Sequence, residues 1–109
     1  MTDKEIFHTL LLFRKRGTAA CLATIVETHG STPREIGAKM IVCADGTTYG
    51  SVGGGCGESN VRRAALRCLI TTGKPERMEV NLMDDLGTKD GDVCGGKMGI
   101  FLEPFNVSK

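Results

Sequence analysis

The sequence predicts a small α+β domain, two helices against a mixed or mainly antiparallel sheet of about five strands. Two observations lead there. Segments of helical and of strand-like periodicity follow one another as helix, three strands, helix, two strands, an order that does not build an alternating βαβ sheet. Turn formers punctuate them throughout, among them 15 glycines in 109 residues. At this length the expectation is one domain over residues 1–109 with one core.

Taken in order, Thr2 and Glu5 have capping-box spacing ahead of an apolar-periodic run. Ile6, Leu10 and Phe13 share one face, flanked by Phe7 and Leu11, so Asp3 to Lys15 reads as an amphipathic helix ended by Arg16-Gly17. Ala19 to Glu27, rich in small and β-branched residues, reads as a buried strand. Thr28 to Arg34 breaks it with turn residues. Lys39 to Cys43 is a second strand, Ala44-Asp45-Gly46 a hairpin signal, and Thr47 to Val52 the returning strand.

After a run of glycines, Glu58 to Thr72 reads as a second helix. Its inner face is Val61, Ala64, Ala65, Cys68, Leu69 and Thr72, with Arg63 and Arg67 pointing away and Gly73 as its stop. Glu79 to Met83 alternates as a half-buried strand. Asp84 to Lys97 is a long polar loop, and Met98 to Leu102 is a last strand stopped by Pro104. Met40, Met78 and Met98 fall in strand-like segments and are most simply core.

Composition narrows the function classes. A net charge of +1 and no basic run with interleaved aromatics give no field to draw in nucleic acid or anionic lipid. The charged N-terminus lacks a signal-peptide pattern, and Leu10 to Phe13 is far too short an apolar run to span a bilayer. The five cysteines are odd in number and contain no C-x-x-C pair, which suggests neither a disulfide framework nor a zinc ribbon. Reduced thiols in the cytoplasm fit best.

Candidate chemistry concentrates in three loops, His29 to Gly37, Gly50 to Gly57 and Asp90 to Lys97. Each follows a predicted strand, so the sheet is expected to gather them at one edge. Gly53-Gly54-Gly55 joins a strand to the start of a helix, where backbone amides and partial positive charge make an anion cradle. Cys56 stands at that helix start. It reads as a stabilised thiolate able to act as nucleophile, sulfur carrier or soft metal ligand, or else as a small residue in a tight turn. Cys94, before Gly95-Gly96, repeats the thiol-plus-glycine theme. Arg34 after Ser31-Thr32-Pro33 is suited to a forked contact with phosphate or carboxylate, against the alternative of an ordinary exposed loop arginine. A lone loop histidine such as His29 is more often neither base nor ligand, and Glu58 complements the helix dipole. Cys21, Cys43 and Cys68 are expected to be buried as small hydrophobes.

Gly30-Ser31-Thr32-Pro33-Arg34 with Gly37-Ala38-Lys39-Met40, then Gly50 to Cys56 with Glu58, then Cys94-Gly95-Gly96, resembles the XdhC/CoxI family from about Ala19 to Pro104. These are maturation factors of molybdenum hydroxylases such as xanthine dehydrogenase and carbon monoxide dehydrogenase. The resemblance implies a chaperone and not a turnover enzyme. Such a chaperone binds molybdenum cofactor transiently, assists its sulfuration by a cysteine desulfurase, and delivers it to the apo-hydroxylase. Carried over by position, Arg34, Gly53, Gly54, Gly55, Cys56 and Cys94 would handle the cofactor, with Cys56 near the metal or its exchangeable sulfur.

Longer family members carry a C-terminal Rossmann-like domain, and this sequence stops just after Pro104. That implies a stand-alone paralogue or one half of a split pair whose partner supplies the Rossmann domain. The rival readings are a thiol-dependent transferase or redox protein using Cys56 and Cys94, and an assembly module for such a partner. Ile70, expected to face outward on the second helix, hints at a homo-oligomer.

Overall fold

The computed structural model describes residues 1–55, 57–82 and 95–107. Helix α1 (Asp3–Arg16) is followed by strands β1 (Ala20–His29), β2 (Lys39–Cys43) and β3 (Thr48–Gly50). Helix α2 (Glu58–Ile70) and strands β4 (Glu76–Asn81) and β5 (Lys97–Phe105) complete it. The strands form one sheet in the order β3-β2-β1-β5-β4, and every pairing is antiparallel. The expected α+β class, with two helices and five strands, is what is found.

The sheet is organised on β1, the central strand. Its period of two divides the core between its faces. Cys21, Ala23 and Ile25 point to one side and join Met40, Val42, Ile100 and Leu102 under α2. Ala20 and Leu22 point to the other and join Ile41 and Cys43 under α1. From α2, Val61, Ala64, Ala65, Cys68 and Leu69 are buried, whereas α1 buries Ile6 alone. Leu10 and Phe13 pack at the edge of that smaller cluster, and Phe13 meets Tyr49 edge-on at 5.7 Å. Met40 and Met98 are fully buried and Met78 packs against the larger cluster.

Both helices start and stop near where the sequence places them. Thr2 and Glu5 close a reciprocal capping box, Thr2 N–H to Glu5 Oε1 at 2.8 Å and Glu5 N–H to Thr2 Oγ1 at 3.2 Å. Gly17 ends α1 in the left-handed region. The second helix is shorter than expected and stops at Ile70, so Thr72 stands outside it. The Thr72 hydroxyl there accepts from the Lys74 N–H at 3.2 Å and donates to Glu76 Oε2 at 3.3 Å. This local competition for backbone groups is why threonine is a weak helix former.

Strand limits differ in four places, and for β1 and β5 the reason is pairing. β1 runs on to His29 because β5 supplies partners as far as His29↔Lys97, with an irregularity between Ile25 and Glu27 that absorbs Val26. β3 ends at Gly50 instead of Val52. β4 begins at Glu76 and ends at Asn81, not Glu79 to Met83, and Met83 lies outside the described residues. Pro104 does not stop β5; the strand continues through it to Phe105. Pairing with β4 ends at Glu76↔Leu102, so Pro104 has a neighbour strand on one side only, a position that tolerates its missing N–H.

Beyond it, Asn106 takes a left-handed conformation, φ 58°. Its amide donates to the carbonyls of Phe13 and Thr18, at 3.3 and 3.0 Å, which ties the end of β5 to the end of α1. No helix among the described residues is long and apolar enough to cross a membrane.

Candidate functional site

The antiparallel ladder decides where the loops go. His29 pairs with Lys97, Lys97 with Asn81, and Gly50 with Met40, so β1, β3 and β4 all end where β2 and β5 begin. The segment after His29, the glycine segment after Gly50, and Gly95-Gly96 before β5 therefore emerge from one end of the sheet.

They also touch. Arg34 Nη1 donates to the Ser51 carbonyl at 3.1 Å, joining the first loop to the second. Gly96 seats against the first loop so closely that a Cβ there would lie 2.1 Å from the His29 carbonyl oxygen and 2.8 Å from that of Ser31. Leu82 N–H to Gly96 O at 2.9 Å holds the same glycine to the end of β4. Only a residue without a side chain fits this crossing.

Inside the glycine segment the backbone is partly occupied by its own chain. Ser51 Oγ accepts from the N–H groups of Gly53 and Gly54, both at 3.0 Å, and Glu58 Oε2 accepts from the Val52 N–H at 3.3 Å. An anion at the expected cradle has to compete with the Ser51 hydroxyl for two of the amides. Glu58 therefore does more than complement the dipole: it fastens the segment to the first turn of α2. That helix begins at Gly57, φ 83°, with no side-chain cap bond. Gly57 is buried against β4, where a Cβ would lie 2.7 Å from Val80 Cγ1 and 3.0 Å from Leu82 Cδ2. Gly54 and Gly55 differ, since both are exposed and have open space where a side chain would go.

Next to them is a cleft of about 220 Å³ lined by Thr48, Gly54, Gly55, Glu58, Ser59 and Arg62. Arg62 is not among the residues that the sequence singles out. Its Nε donates to the Gly46 carbonyl at 3.0 Å, so the β2–β3 turn holds its guanidinium beside the cleft. Its spacing four residues after Glu58 is the available signal, because that places both on one helix face. Two arginines are thus held to backbone carbonyls near the glycine segment, Arg34 through Ser51 at its start and Arg62 through Gly46 beside the cleft.

Cys56 and Cys94 lie outside the described residues. Among the described residues no group of three His, Cys, Asp or Glu side chains is arranged to hold a metal ion. The other three cysteines are buried and free. Burial pushes the Cys21 thiol up to about 12, and raises Cys43 and Cys68 above the usual thiol range. Thiols held neutral in this way are structural, as expected for them. His29 does find a partner: its Nε2 lies 2.6 Å from Glu27 Oε2, and Arg77 bonds the other carboxylate oxygen. The hydrogen bond and charge of His29, then Arg77, hold the Glu27 carboxyl below the usual range.

With this geometry in view, the kinship of the chain is plain. The XdhC and CoxI family model matches residues 13–81, and the chain belongs to that family. It is 42% identical over 89 residues to the molybdenum cofactor insertion chaperone PaoD of Escherichia coli, covering 79% of this chain and 26% of that protein. To a probable xanthine dehydrogenase subunit from Bacillus subtilis it is 36% identical over 107 residues, covering 94% and 32%. A crystal structure described as a xanthine dehydrogenase from Bacillus halodurans superposes with a TM-score of 0.79 at 32% identity, over 95% of this chain and 30% of that one. The chain spans about a quarter to a third of the length of these relatives.

Proposed function

We propose that this domain takes part in the maturation of a molybdenum hydroxylase by holding molybdenum cofactor at the loop-bearing end of the sheet. Its family and the naming of its relatives for cofactor insertion and for xanthine dehydrogenase support the role. The observation that carries the placement is the meeting of the loops through Arg34 and Gly96 beside an open glycine segment.

The residues present fit the phosphate end of the cofactor. Arg34 and Arg62 offer guanidinium groups already fixed in place, so less side-chain freedom is lost when an anion binds. Ser59 and Thr48 add hydroxyls at the cleft, and Gly54 and Gly55 allow close approach to the backbone. The Ser51 hydroxyl keeps the Gly53 and Gly54 amides satisfied until an anion replaces it. Cys56 and Cys94 are the residues we assign to the sulfur-rich metal end, where a thiolate suits a soft centre. When bound, the cofactor supplies the oxidation–reduction chemistry of the client enzyme, and this chain contributes holding and release. We place the domain in the cytoplasm as an accessory protein, with a hydroxylase apo-enzyme and a cysteine desulfurase as partners. A separate Rossmann-domain protein is the further partner if the function is split between chains.

Anaerobic purification in the presence of the cofactor tests this. Retained pterin should exceed that on a control protein. Gly55→Val, at a position with no positive φ and open space for a side chain, should cut retention by about tenfold or more without lowering the melting temperature. Retention no better than the control overturns the proposal.

A further inference from the structure

The face of the sheet under α1 is only half covered. The helix seats Ile6 over β2 and β1, and its neighbouring stripe, Phe7, Leu10, Leu11 and Arg14, overlooks the uncovered end of β5. Between them runs a groove of about 600 Å³ whose far wall is Glu103 and Phe105. Phe7 is 52% exposed, Leu11 51% and Phe105 38%, an unusual share of large apolar side chains in one place. By contrast Ile70, which is indeed exposed, stands on α2 away from this groove.

We propose that the groove is where two copies of this chain pair about a twofold axis. Charge sets the pairing. Arg14 and Glu103 line the groove, one from the helix and one from the strand, and neither has an ion-pair partner among the described residues. A patch with an apolar floor, a cation on one wall and an anion on the other is complementary to its own image after a half-turn. Arg14 of each copy then meets Glu103 of the other, twice per dimer, while Phe7, Leu11 and Phe105 leave water. Apolar burial supplies affinity and the two ion pairs fix the orientation.

This does not depend on cofactor handling, and its test reads only mass. In sedimentation equilibrium over roughly 1–100 µM, the range where weak dimers dissociate, the species should approach twice the 11.6 kDa of the chain. Leu11→Glu, at a half-exposed position that leaves the core intact, should weaken association by about tenfold or more, with far-ultraviolet circular dichroism unchanged. Arg14→Glu and Glu103→Arg should each weaken it, and the double exchange should restore it. Three results overturn the proposal. One is a monomer throughout, which would leave the groove to a different protein. Another is a dimer indifferent to Leu11→Glu. The last is a double exchange no better than the single ones.

Discussion

The two helices of this domain begin in opposite ways. α1 closes its first turn on itself: the side chains of Thr2 and Glu5 each satisfy the other's backbone N–H. α2 starts on Gly57, with no side-chain cap, and its Glu58 reaches back to the glycine segment. One is a solved local problem, and the other is solved only in concert with three loops, a buried glycine and β4. A helix start built for stability is short-range and readable in four residues. One built around a binding edge borrows its support from residues distant in sequence.

Substitutions at the two starts should therefore differ in scale. The largest loss belongs to the loop crossing: Gly96→Ala puts a methyl 2.1 Å from the His29 carbonyl, and because that contact is backbone, a loop must move. About 3 kcal/mol or more should be lost in a denaturant titration. A loss under about 1 kcal/mol would mean that the two loops are not held together as described.

Gly57→Ala comes next, at about 2 kcal/mol, from a positive φ and a clash with the Val80 side chain. If it is no worse than Thr2→Ala, the difference between the two helix starts is not real.

Below that is the share of an alkaline pH effect that belongs to Cys21, buried on the sheet face that α2 covers and raised along with Cys43 and Cys68. Its folded pKa of about 12 lies above the unfolded value near 9. The folded chain holds this proton while the unfolded chain releases it, so stability falls as pH rises from about 9 toward 12. By pH 10 about 1.4 kcal/mol should be gone through Cys21, and Cys21→Ala, although less stable overall, should show a shallower slope that keeps only the part due to Cys43 and Cys68. Equal slopes would show that Cys21 is not the group.

The smallest effect is Thr2→Ala, about 1 kcal/mol from the lost cap, with cofactor retention untouched.

What can be read from the sequence follows the same division. The capping box, the buried faces of β1 and α2, the burial of Cys21, Cys43 and Cys68, and the gathering of the first two loops with Gly95-Gly96 are written in local period and in strand order. Pro104 misleads because its effect depends on whether β4 reaches that far, which only the sheet decides. His29 reads as a turn residue because its partner in the ladder, Lys97, is 68 residues away, and a local window cannot see it. Arg62 escapes notice for a related reason: an exposed helix arginine has no local mark, and the Gly46 carbonyl that fixes it belongs to a different hairpin. The serine that occupies the glycine amides is likewise invisible, since Ser51 reads as the end of the returning strand until its hydroxyl has an orientation.

On the proposed function, the loop-bearing end of the sheet is where cofactor is held. An anaerobic titration with molybdenum cofactor, followed by backbone amide shifts, tests it most directly. The shifts should concentrate in residues 30–37, 50–59 and 95–97, with the Gly53 and Gly54 amides moving as the Ser51 hydroxyl is displaced. Saturable shifts confined to the α1 groove or to the opposite end of the sheet, or none at all, would contradict it.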